Sequence, residues 1–508
     1  MSSSAVQLSA IRSTGSWAHC PTTTMESVSN AVAILPIYGL GDLGLGLTSD
    51  IEEVIGSAVL STALDLIEEN SVLRVLPPLR LGLSPYHNSI GRIDPDRLLT
   101  VLSEIAEGVA KSGVAHLLFW TTSPWNSELV DTASRDIRVA HSLRTYVIDL
   151  GGVGLSLHPA SLDRSRAQIL ASQLSGLSPT DSSNTQPVDV DFRPGNWSNL
   201  PSIPSHGTES SEEVLTQSAK LMAELLVEVA NRFSSNTLTQ QTPASNEVAK
   251  TSSPYPAGRR SRYLPRFTRA ELDALDGKAE ILVVIPIGAI EQHGPHLPLG
   301  VDSIIAEVAS SGLCSRLPEA VWFGPTIAFG KSNEHDGFPG TLSLSAQSLR
   351  GIIKSLVVNL HTEGFRQFAF LNTHGGNSSV LTYTLRELQQ ELKIRAGMLR
   401  LKATDELGLQ ERTWGFHAGE WETSVMLAIA PETVRMDRAI CHYPASLDDP
   451  GKLRPENAPA THSWVTRDIA PDGVMGDATK ATAEKGRRWL DSALDHMAEQ
   501  IRALLQRA

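Results

Sequence analysis

Short apolar runs alternate with amphipathic segments along most of the chain. The runs "AVAILPI" and "ILVVIPI" have the length of buried strands. "LLTVLSEIAEGVAKSGVAHLLFW" and "LRGIIKSLVVNLHTEGFRQFAFLN" each predict an amphipathic helix, a turn glycine and a buried strand. "SEEVLTQSAKLMAELLVEVANRF" and "DATKATAEKGRRWLDSALDHMAEQIRALL" have the apolar spacing of long amphipathic helices. Strands that alternate with helices predict α/β layers with a mostly parallel sheet.

This plan occurs twice, so we predict two related domains. An apolar run, a Pro-Ile pair and a glycine-rich loop lead to Asp50 and again to Asp302. Between the two copies, "TLTQQTPASNEVAKTSSPYPAGRR" has no helical or strand period and is typical of a linker. The predicted organisation is a disordered arm at 1–28, a domain at 29–233, a flexible linker at 234–262 and a second domain at 263–508.

Composition narrows the classes of partner and compartment. The 508 residues are 41% apolar and 19% charged with a net charge of −13, which argues against nucleic acid as a ligand. No stretch reaches the length of a membrane span, and the Ser- and Thr-rich beginning lacks the apolar core of a signal peptide. Three scattered cysteines indicate neither a disulfide framework nor a thiolate zinc site. We therefore expect a cytoplasmic protein, which could start at Met1 or Met25.

The second copy carries ionisable side chains at the predicted strand ends. In "PIGAIEQHGPHLPLGVD", Glu291 and His293 are two residues apart and project to the same face of an extended segment, and Asp302 follows in the same loop. His374 follows another strand, and Glu420 lies where a helix begins. Oxygen and nitrogen ligands without thiolates suit Zn²⁺ or Mn²⁺, and also two ions bridged by a carboxylate. Such a site would be hydrolytic.

Each of these groups also has an ordinary structural interpretation, because His or Glu beside a Gly-Pro loop is often a turn residue. The segment "KSNEHDGFPGT" is equally typical of a surface turn and of a substrate loop that uses Glu334, His335 and Asp336. The grouping of all five candidate ligands at strand ends or a helix start favours the metal site.

Four segments, "PIGAIEQHGPHLPLGVD", "EHDGFPGT", "NTHGGN" and "HAGEWETS", resemble the signatures of the creatininase (creatinine amidohydrolase) family, in family order over Tyr263 to Ala508. The resemblance implies an α/β/α fold with a mostly parallel sheet and a dinuclear site for Zn²⁺ or Mn²⁺, with Fe²⁺ as the alternative. It implies the ligands Glu291, His293, Asp302 and His374, with Asp302 bridging the ions.

The fifth ligand departs from creatininase itself. Creatininase has a His-Tyr-Glu-Asn pattern, whereas this chain has Gly376 in place of the glutamate. Glu420 is therefore the expected fifth ligand and a candidate catalytic carboxylate, an arrangement similar to that of family members that are amide hydrolases or deformylases. The change argues against creatinine as the substrate and leaves metal-dependent amide hydrolysis intact.

The remaining candidates surround this set. By resemblance His417 protonates the leaving nitrogen, and a helix-capping role is its alternative. Trp414 and Trp421 are candidate walls for a small polar substrate, or core residues. Asn377 ends the "NTHGGN" loop and is a further candidate for substrate binding.

The first copy has lost most of these groups. Gly41 stands for Glu291, Ser123 for His374 and Ser161 for Glu420, while His158 matches His417 and Asp50 is the one ligand kept. The loop before Asp50 is two residues shorter in this alignment. We predict that this copy binds no catalytic metal and that the chain is a pseudo-dimer. The family assembles from like subunits, so the fused copy would replace a neighbouring protomer, and a homo-oligomer is expected.

The predicted function is a metal-dependent amidohydrolase that cleaves a C–N bond of a small linear or cyclic amide, or a formamide, with a metal-activated water. The alternatives are hydrolytic ring opening of a cyclic diketone at the same site, hydrolysis of small peptides, and a non-catalytic scaffold. Ligands kept in one half and lost in the other argue against the scaffold.

Overall fold

The computed structural model describes residues 15–25, 30–43, 47–67, 72–86, 89–158, 161, 164–175, 209–231, 262–401, 406–443, 453–454, 460–461 and 463–506. The strands are β1 Val32–Ile37, β2 Leu73–Val75, β3 His116–Thr121, β4 Arg144–Asp149, β5 Leu282–Ile287, β6 Val321–Phe323, β7 Gln367–Asn372, β8 Arg395–Arg400, β9 Cys441–His442, β10 Leu453–Arg454, β11 Ala460–Thr461 and β12 Gly476–Asp477. The helices are α1 Thr22–Met25, α2 Ile51–Asp65, α3 Pro95–Lys111, α4 Ser127–His141, α5 Arg164–Ser175, α6 Ser211–Asn231, α7 Arg269–Ala274, α8 Val301–Cys314, α9 Ala346–Thr362, α10 Ser378–Leu392, α11 Leu409–Trp414, α12 Glu420–Ile429, α13 Thr466–Ile469 and α14 Ala483–Gln506.

Two four-stranded sheets have the same topology. The first has the order β2-β1-β3-β4 and the second the order β6-β5-β7-β8, and all neighbouring pairs are parallel. The central strands β1 and β5 are buried along their whole length, as expected for a parallel sheet covered on both faces. The predicted α/β fold, with one sheet in each half, is confirmed.

The two halves share one apolar core. The inward faces of both sheets pack with α3 and α4 of the first half and with α9 and α10 of the second in a single cluster. The outward face of the first sheet is covered by α2, α5 and α6, and that of the second by α8, α12 and α14. Each sheet therefore lies between two helical layers, and the inner layers of the two halves are fused. Among the described residues, no helix is long and apolar enough to cross a membrane.

The segment before β1 is folded where the structure describes it. A 3-10 helix at Trp17–His19 and the helix α1 place Trp17 in the core, with none of its surface exposed. Leu299 donates its N–H to the carbonyl of Cys20 at 2.9 Å, so this segment contacts the second half. The expectation of a disordered arm over 1–28 is wrong for residues 15–25, because burial of Trp17 holds them. Residues 1–14 and 26–28, and residues 234–261 of the linker predicted at 234–262, lie outside the described residues, whereas Arg262 is buried and donates to Leu317 O at 3.0 Å.

The helix after the first strand corrects the alignment of the halves. Helix α2 begins fourteen residues after β1 ends, and α8 begins fourteen residues after β5 ends. The predicted two-residue shortening of this loop is therefore wrong. Glu52, the second residue of α2, occupies the position of Asp302, the second residue of α8. Asp50 instead pairs with Arg266 at 3.2 Å.

Glu52 is a buried carboxyl with few partners. Its Oε2 accepts the Gly39 N–H at 2.5 Å, while Oε1 has no hydrogen-bond partner among the described residues. Burial raises the pKa of Glu52 to about 7, against hydrogen bonds from Gly39 and Ser123 that lower it. The first half thus keeps one carboxyl at this position, and Gly41 and Ser123 stand where two further candidate ligands lie in the second half.

We expect Glu52→Gln to remove a pH dependence of stability. Because burial raises the folded pKa from 4.5 to about 7, the contribution of this group to the unfolding free energy is complete below pH 4.5 and is lost as the pH rises through 7. This pKa shift corresponds to a change of about 3 kcal/mol in the unfolding free energy. Urea unfolding at about pH 5 and about pH 8 should show the variant gaining stability over the wild type as the pH rises.

The exposed Glu212 on α6 provides the matched control, because Glu212→Gln removes a carboxylate from solvent rather than from the core. A wild-type-to-variant difference for Glu52→Gln that stays constant over this pH range would contradict the prediction.

Candidate functional site

The candidate ligands meet at the carboxyl ends of two neighbouring strands. Glu291 and His293 follow β5, and His374 follows β7, which pairs with β5. The next two strands along the chain, β6 and β7, lie on opposite sides of β5 in the sheet. This edge is therefore a topological switch point, where parallel sheets form their clefts. Asp302 in the first turn of α8 completes the group.

Four of the predicted ligands form one buried cluster. His374 Nδ1 lies 3.3 Å from Glu291 Oε2 and 3.4 Å from Asp302 Oδ2. His293 Nε2 lies 3.8 Å from Asp302 Oδ1. None of the four residues is more than 5% exposed. The structure therefore brings together Glu291, His293, Asp302 and His374.

Glu420 does not join them, and the expectation that it supplies the fifth ligand is corrected. Its Oε1 accepts a hydrogen bond from Lys485 Nζ at 2.7 Å. Glu422 takes the predicted place, with Oε2 at 3.9 Å from His293 Nε2 and accepting the Ala418 N–H at 2.5 Å. Two residues apart on α12, the two carboxylates point to different sides of the helix, and only the later one faces the cluster.

Two further histidines complete the cluster. His335 Nε2 lies 3.3 Å, and His417 Nδ1 3.7 Å, from Glu291 Oε1. His335 is 3% exposed and belongs to the cluster rather than to a surface turn, whereas the neighbouring Asp336 is solvent-exposed and pairs with Lys111 at 3.1 Å. Glu334 reaches the other side of His374, with Oε1 at 3.5 Å from Nε2.

Backbone carbonyls hold three of the imidazole rings. His293 Nδ1 donates to Glu291 O at 3.1 Å, His374 Nε2 to Lys331 O at 2.9 Å and His417 Nε2 to Gln292 O at 2.9 Å. In a neutral ring this leaves the lone pair of the other nitrogen facing the carboxylates, which is the orientation that metal-ligating histidines adopt.

His335 has the opposite arrangement. Its Nδ1 lies 2.8 Å from the Gln292 amide nitrogen and 2.9 Å from Thr466 Oγ1. An Nδ1 that accepts the amide N–H leaves the ring proton on Nε2, which faces Glu291.

The residues fit divalent cations. Among the described residues, Glu291 Oε2, His293 Nε2 and Asp302 Oδ2 are buried without hydrogen-bond partners. Three overlapping triads, each with ligand atoms within 4.8 Å of one another, share members of the cluster: Glu291 with His293 and Asp302, Glu291 with His335 and His417, and His293 with His417 and Glu422. Overlapping triads of oxygen and nitrogen atoms suit two neighbouring ions.

The charges of the cluster also favour cations. Burial raises the pKa of Glu291 to about 7 and that of Glu422 to about 8, and lowers that of His417 to about 3. Burial opposes the charge on His374, but Glu291 and Asp302 outweigh it and raise its pKa well above the ordinary value. In the cluster without ions, Glu291 and Asp302 therefore favour a proton on His374 Nδ1, which lies 3.3 and 3.4 Å from their oxygens, and a bound divalent ion would take the place of that proton.

A cavity of about 300 Å³ opens beside the cluster. Its lining includes His417 and Glu422 together with Phe416, Trp421 and Thr373. This volume is at the lower end of the range for small-molecule pockets. Trp421 lines the cavity as predicted, whereas Trp414 is 6% exposed and lies outside the lining.

Asn377 supports the site from behind. It is fully buried, its Oδ1 accepts the Lys331 N–H at 2.9 Å and its amide group donates to Gly288 O at 3.0 Å. The predicted contact of Asn377 with substrate is corrected, because its side chain is hydrogen-bonded to the backbone of two loops.

Sequence reasoning missed Glu422, Gln292 and Glu411. Glu411 Oε1 accepts the Glu420 N–H at 2.7 Å and Oε2 accepts the Tyr443 hydroxyl at 2.7 Å, so this carboxylate fixes the beginning of α12. Glu422 stands two residues after Glu420 in the same "HAGEWETS" segment, so this motif pointed to the right helix start without separating its two glutamates. Gln292 and Glu411 have no signal in the sequence, since their partners are distant along the chain.

The second half of the chain is similar to known proteins. Residues 265–501 match the profile of the Creatininase family, described as creatinine amidohydrolase. A mycofactocin precursor peptide peptidase of Mycobacterium ulcerans is 34% identical over 226 residues, 43% of this chain and 84% of that protein. A creatinine amidohydrolase of Pseudomonas putida is 28% identical over 265 residues, 48% of this chain and 97% of that protein. The solved structure "Creatininase Mn" superposes with a TM-score of 0.41 at 24% identity, over 48% of this chain and 98% of the other. On the profile match and the 34% identity with a relative that it covers over 84% of its length, the chain belongs to the creatininase family.

Proposed function

We propose that the protein is a metal-dependent hydrolase that cleaves a C–N bond of a small linear or cyclic amide, or of a formamide. The observation that carries the proposal is the set of buried ligand atoms without hydrogen-bond partners beside a cavity of about 300 Å³. Glu291, His293, Asp302, His374, His417 and Glu422 would hold two Zn²⁺ or Mn²⁺ ions, with His335 adjacent. When bound, such ions polarise a carbonyl and provide a nucleophilic water at neutral pH.

The residues around the cavity perform the other tasks. Trp421 and Phe416 wall the space in which the amide would lie and exclude bulk water from it.

The leaving nitrogen requires a proton, and two imidazoles face the cluster. The family resemblance gives this role to His417, whose Nε2–H is already donated to Gln292 O. His335 instead directs its Nε2 at Glu291 Oε1 while its Nδ1 contacts the Gln292 amide. These contacts favour His335 as the proton donor and His417 as a metal-holding group.

The first half would then be non-catalytic. Among the described counterparts of the ligands, Glu52 supplies a carboxyl at the position of Asp302, and Gly41 and Ser123 stand in place of Glu291 and His374. One carboxyl and a hydroxyl supply too few ligands for a pair of divalent ions.

A peptide hydrolase is the second candidate function. It is favoured by the 34% identity to a protein named as a peptide peptidase. A peptide bond is also a C–N bond, so the same cluster could serve it, and the two candidates differ in how much substrate must lie outside the cavity.

We expect two divalent ions per chain in the protein reconstituted with Zn²⁺ or Mn²⁺, measured by elemental analysis. Glu422→Gln should lose at least one of them, because its carboxylate faces His293. Glu420→Gln is the matched control, because Glu420 lies two residues before Glu422 on the same helix and is bonded to Lys485. This variant should keep both ions. Loss of metal in the Glu420 variant with retention in the Glu422 variant would reverse the assignment.

We expect hydrolysis of small cyclic amides and N-formyl compounds by the reconstituted protein, and weaker cleavage of peptides, because the cavity is small. Product formation would be followed by mass spectrometry with Asp302→Asn as the inactive control, for which a loss of roughly a thousandfold or more is expected. Cleavage of peptides alone would favour the second candidate. Metal-loaded protein inactive on every class would contradict both.

We expect metal content to separate the roles of the two histidines. His335→Asn should keep both ions and lose about 10²- to 10⁴-fold in kcat, as for removal of a general acid. His417→Asn should lose metal together with activity. If His417→Asn keeps both ions and loses only kcat, the proton donor is His417.

A further inference from the structure

Gly340 of the second half is bonded on both sides by side chains of the first half. Trp17 Nε1 donates to the Gly340 carbonyl at 3.0 Å, and the Gly340 N–H donates to Ser112 Oγ at 2.8 Å. The Ser112 hydroxyl donates its hydrogen bond to Gly108 O at 2.7 Å, so its oxygen can accept the Gly340 N–H. Gly340 has φ +94, and a side-chain carbon there would meet Leu299. These two hydrogen bonds with Trp17 and Ser112, called the clamp below, therefore fix the backbone conformation of Gly340.

The contacts continue from Gly340 to the metal-ligand cluster. The next residue, Thr341, accepts the Gln292 N–H on Oγ1 at 3.1 Å. Gln292 stands between Glu291 and His293, and its side-chain nitrogen lies 2.8 Å from His335 Nδ1. One residue and two hydrogen bonds thus separate the clamp on Gly340 from the histidine that faces Glu291.

The same segment of the first half also holds the loop that leads to Asp302. Gly300 donates its N–H to Ala18 O at 2.8 Å, and Leu299 donates to Cys20 O at 2.9 Å. Gly300 is the N-cap of α8, whose second residue is Asp302. The loop after β5 and the loop after β6 both carry residues of the cluster, and both are therefore hydrogen-bonded to residues 17–20.

In the reverse direction, the counterparts of Trp17 and Ser112 make no such contact among the described residues. The backbone exchange is mutual, since Asp50 donates its N–H to Pro265 O at 2.8 Å. The residue at the position of Trp17 is Leu264, which begins the corresponding 3-10 helix and has no hydrogen-bonding side chain. The residue at the position of Ser112 is Glu363, the C-cap of α9, which pairs with Arg269 at 2.6 Å. The second half instead reaches the first through Asn359, whose amide donates to Ile90 O and Arg92 O, so the two directions use different side chains.

We propose that Trp17 and Ser112 are positioning residues, through which the first half sets the geometry of the ligand cluster in the second. They act through Gly340, Thr341 and Gln292. The effect on metal binding rests on the proposed function, whereas the effect on the order of the Gln292 segment does not. The first half is in this view a required part of the site rather than a remnant of duplication.

The test compares the full-length double variant Trp17→Phe/Ser112→Ala with Asn359→Ala. The double variant keeps the aromatic bulk and removes the N–H and the acceptor. Asn359 is an equally buried residue of the same interface, and its amide donates to Ile90 O at 3.1 Å and Arg92 O at 2.9 Å in the first half. It has no contact with the Gly340 loop among the bonds described, so it controls for a general loosening of the interface.

Two readouts are taken. Titration of Co²⁺ into the metal-free proteins should give a dissociation constant about tenfold larger for the double variant, together with a changed visible spectrum. The Asn359→Ala variant should behave like the wild type in both respects. Hydrogen exchange of the metal-free proteins should be faster over residues 290–302 and 335–342 in the double variant alone.

Equal exchange in the double variant and the control would overturn the proposal. Faster exchange with unchanged Co²⁺ affinity and spectrum would overturn the link to the ligand geometry. A wild type that binds no Co²⁺ would contradict the proposed function, and hydrogen exchange would still decide whether the clamp positions the Gln292 segment.

Discussion

The burial of three carboxyl groups and four imidazoles at one sheet edge is the constraint on which the rest of the structure depends. Such groups are costly to remove from water unless each finds a partner, and here several ligand atoms have none within the described protein. The surrounding loops therefore hold these side chains by other means. Backbone carbonyls fix the outer nitrogens of His293, His374 and His417, and the carboxylate of Glu411 fixes the helix start that presents Glu422. The cluster thereby holds its carboxyl groups and the inner imidazole nitrogens facing one another.

The first half shows how the same scaffold behaves when this constraint is relaxed. Its sheet has the same strand order, and α2 and α4 follow β1 and β3 at the same intervals as α8 and α10 follow β5 and β7, so the fold does not require the ligands. Gly41 and Ser123 remove two of the costly groups, and Glu52 is left as a single carboxyl whose burial raises its pKa to about 7. What this half retains is its interface. Its inner helices share one core with those of the second half, and Trp17 and Ser112 reach the loop beside the cluster.

The fold was largely predictable because its signals are local. Periodicity in the segments around α3 and α9 predicted a helix, a turn and a buried strand, and the structure has them in both halves. The site was predictable in part for the same reason. Glu291, His293, Asp302 and His374 follow strands or begin a helix, and parallel strands of one sheet direct their carboxyl ends to a common edge. Glu420 and Glu422 could not be separated in this way, since the side of α12 that faces the cluster depends on how that helix packs against α8 and α14.

By itself the sequence determined the α/β class, the duplication, the family signatures and the residue types of the candidate metal site, because these depend on periodicity and on short motifs. Tertiary structure alone decided which glutamate of α12 completes the cluster, that Asn377 serves the backbone, and that Glu52 is the counterpart of Asp302. It also decided that residues 15–25 are part of the core and bond to loops nearly three hundred positions away. Such contacts join residues that share no local pattern, so they arise only when both sheets have folded and packed together.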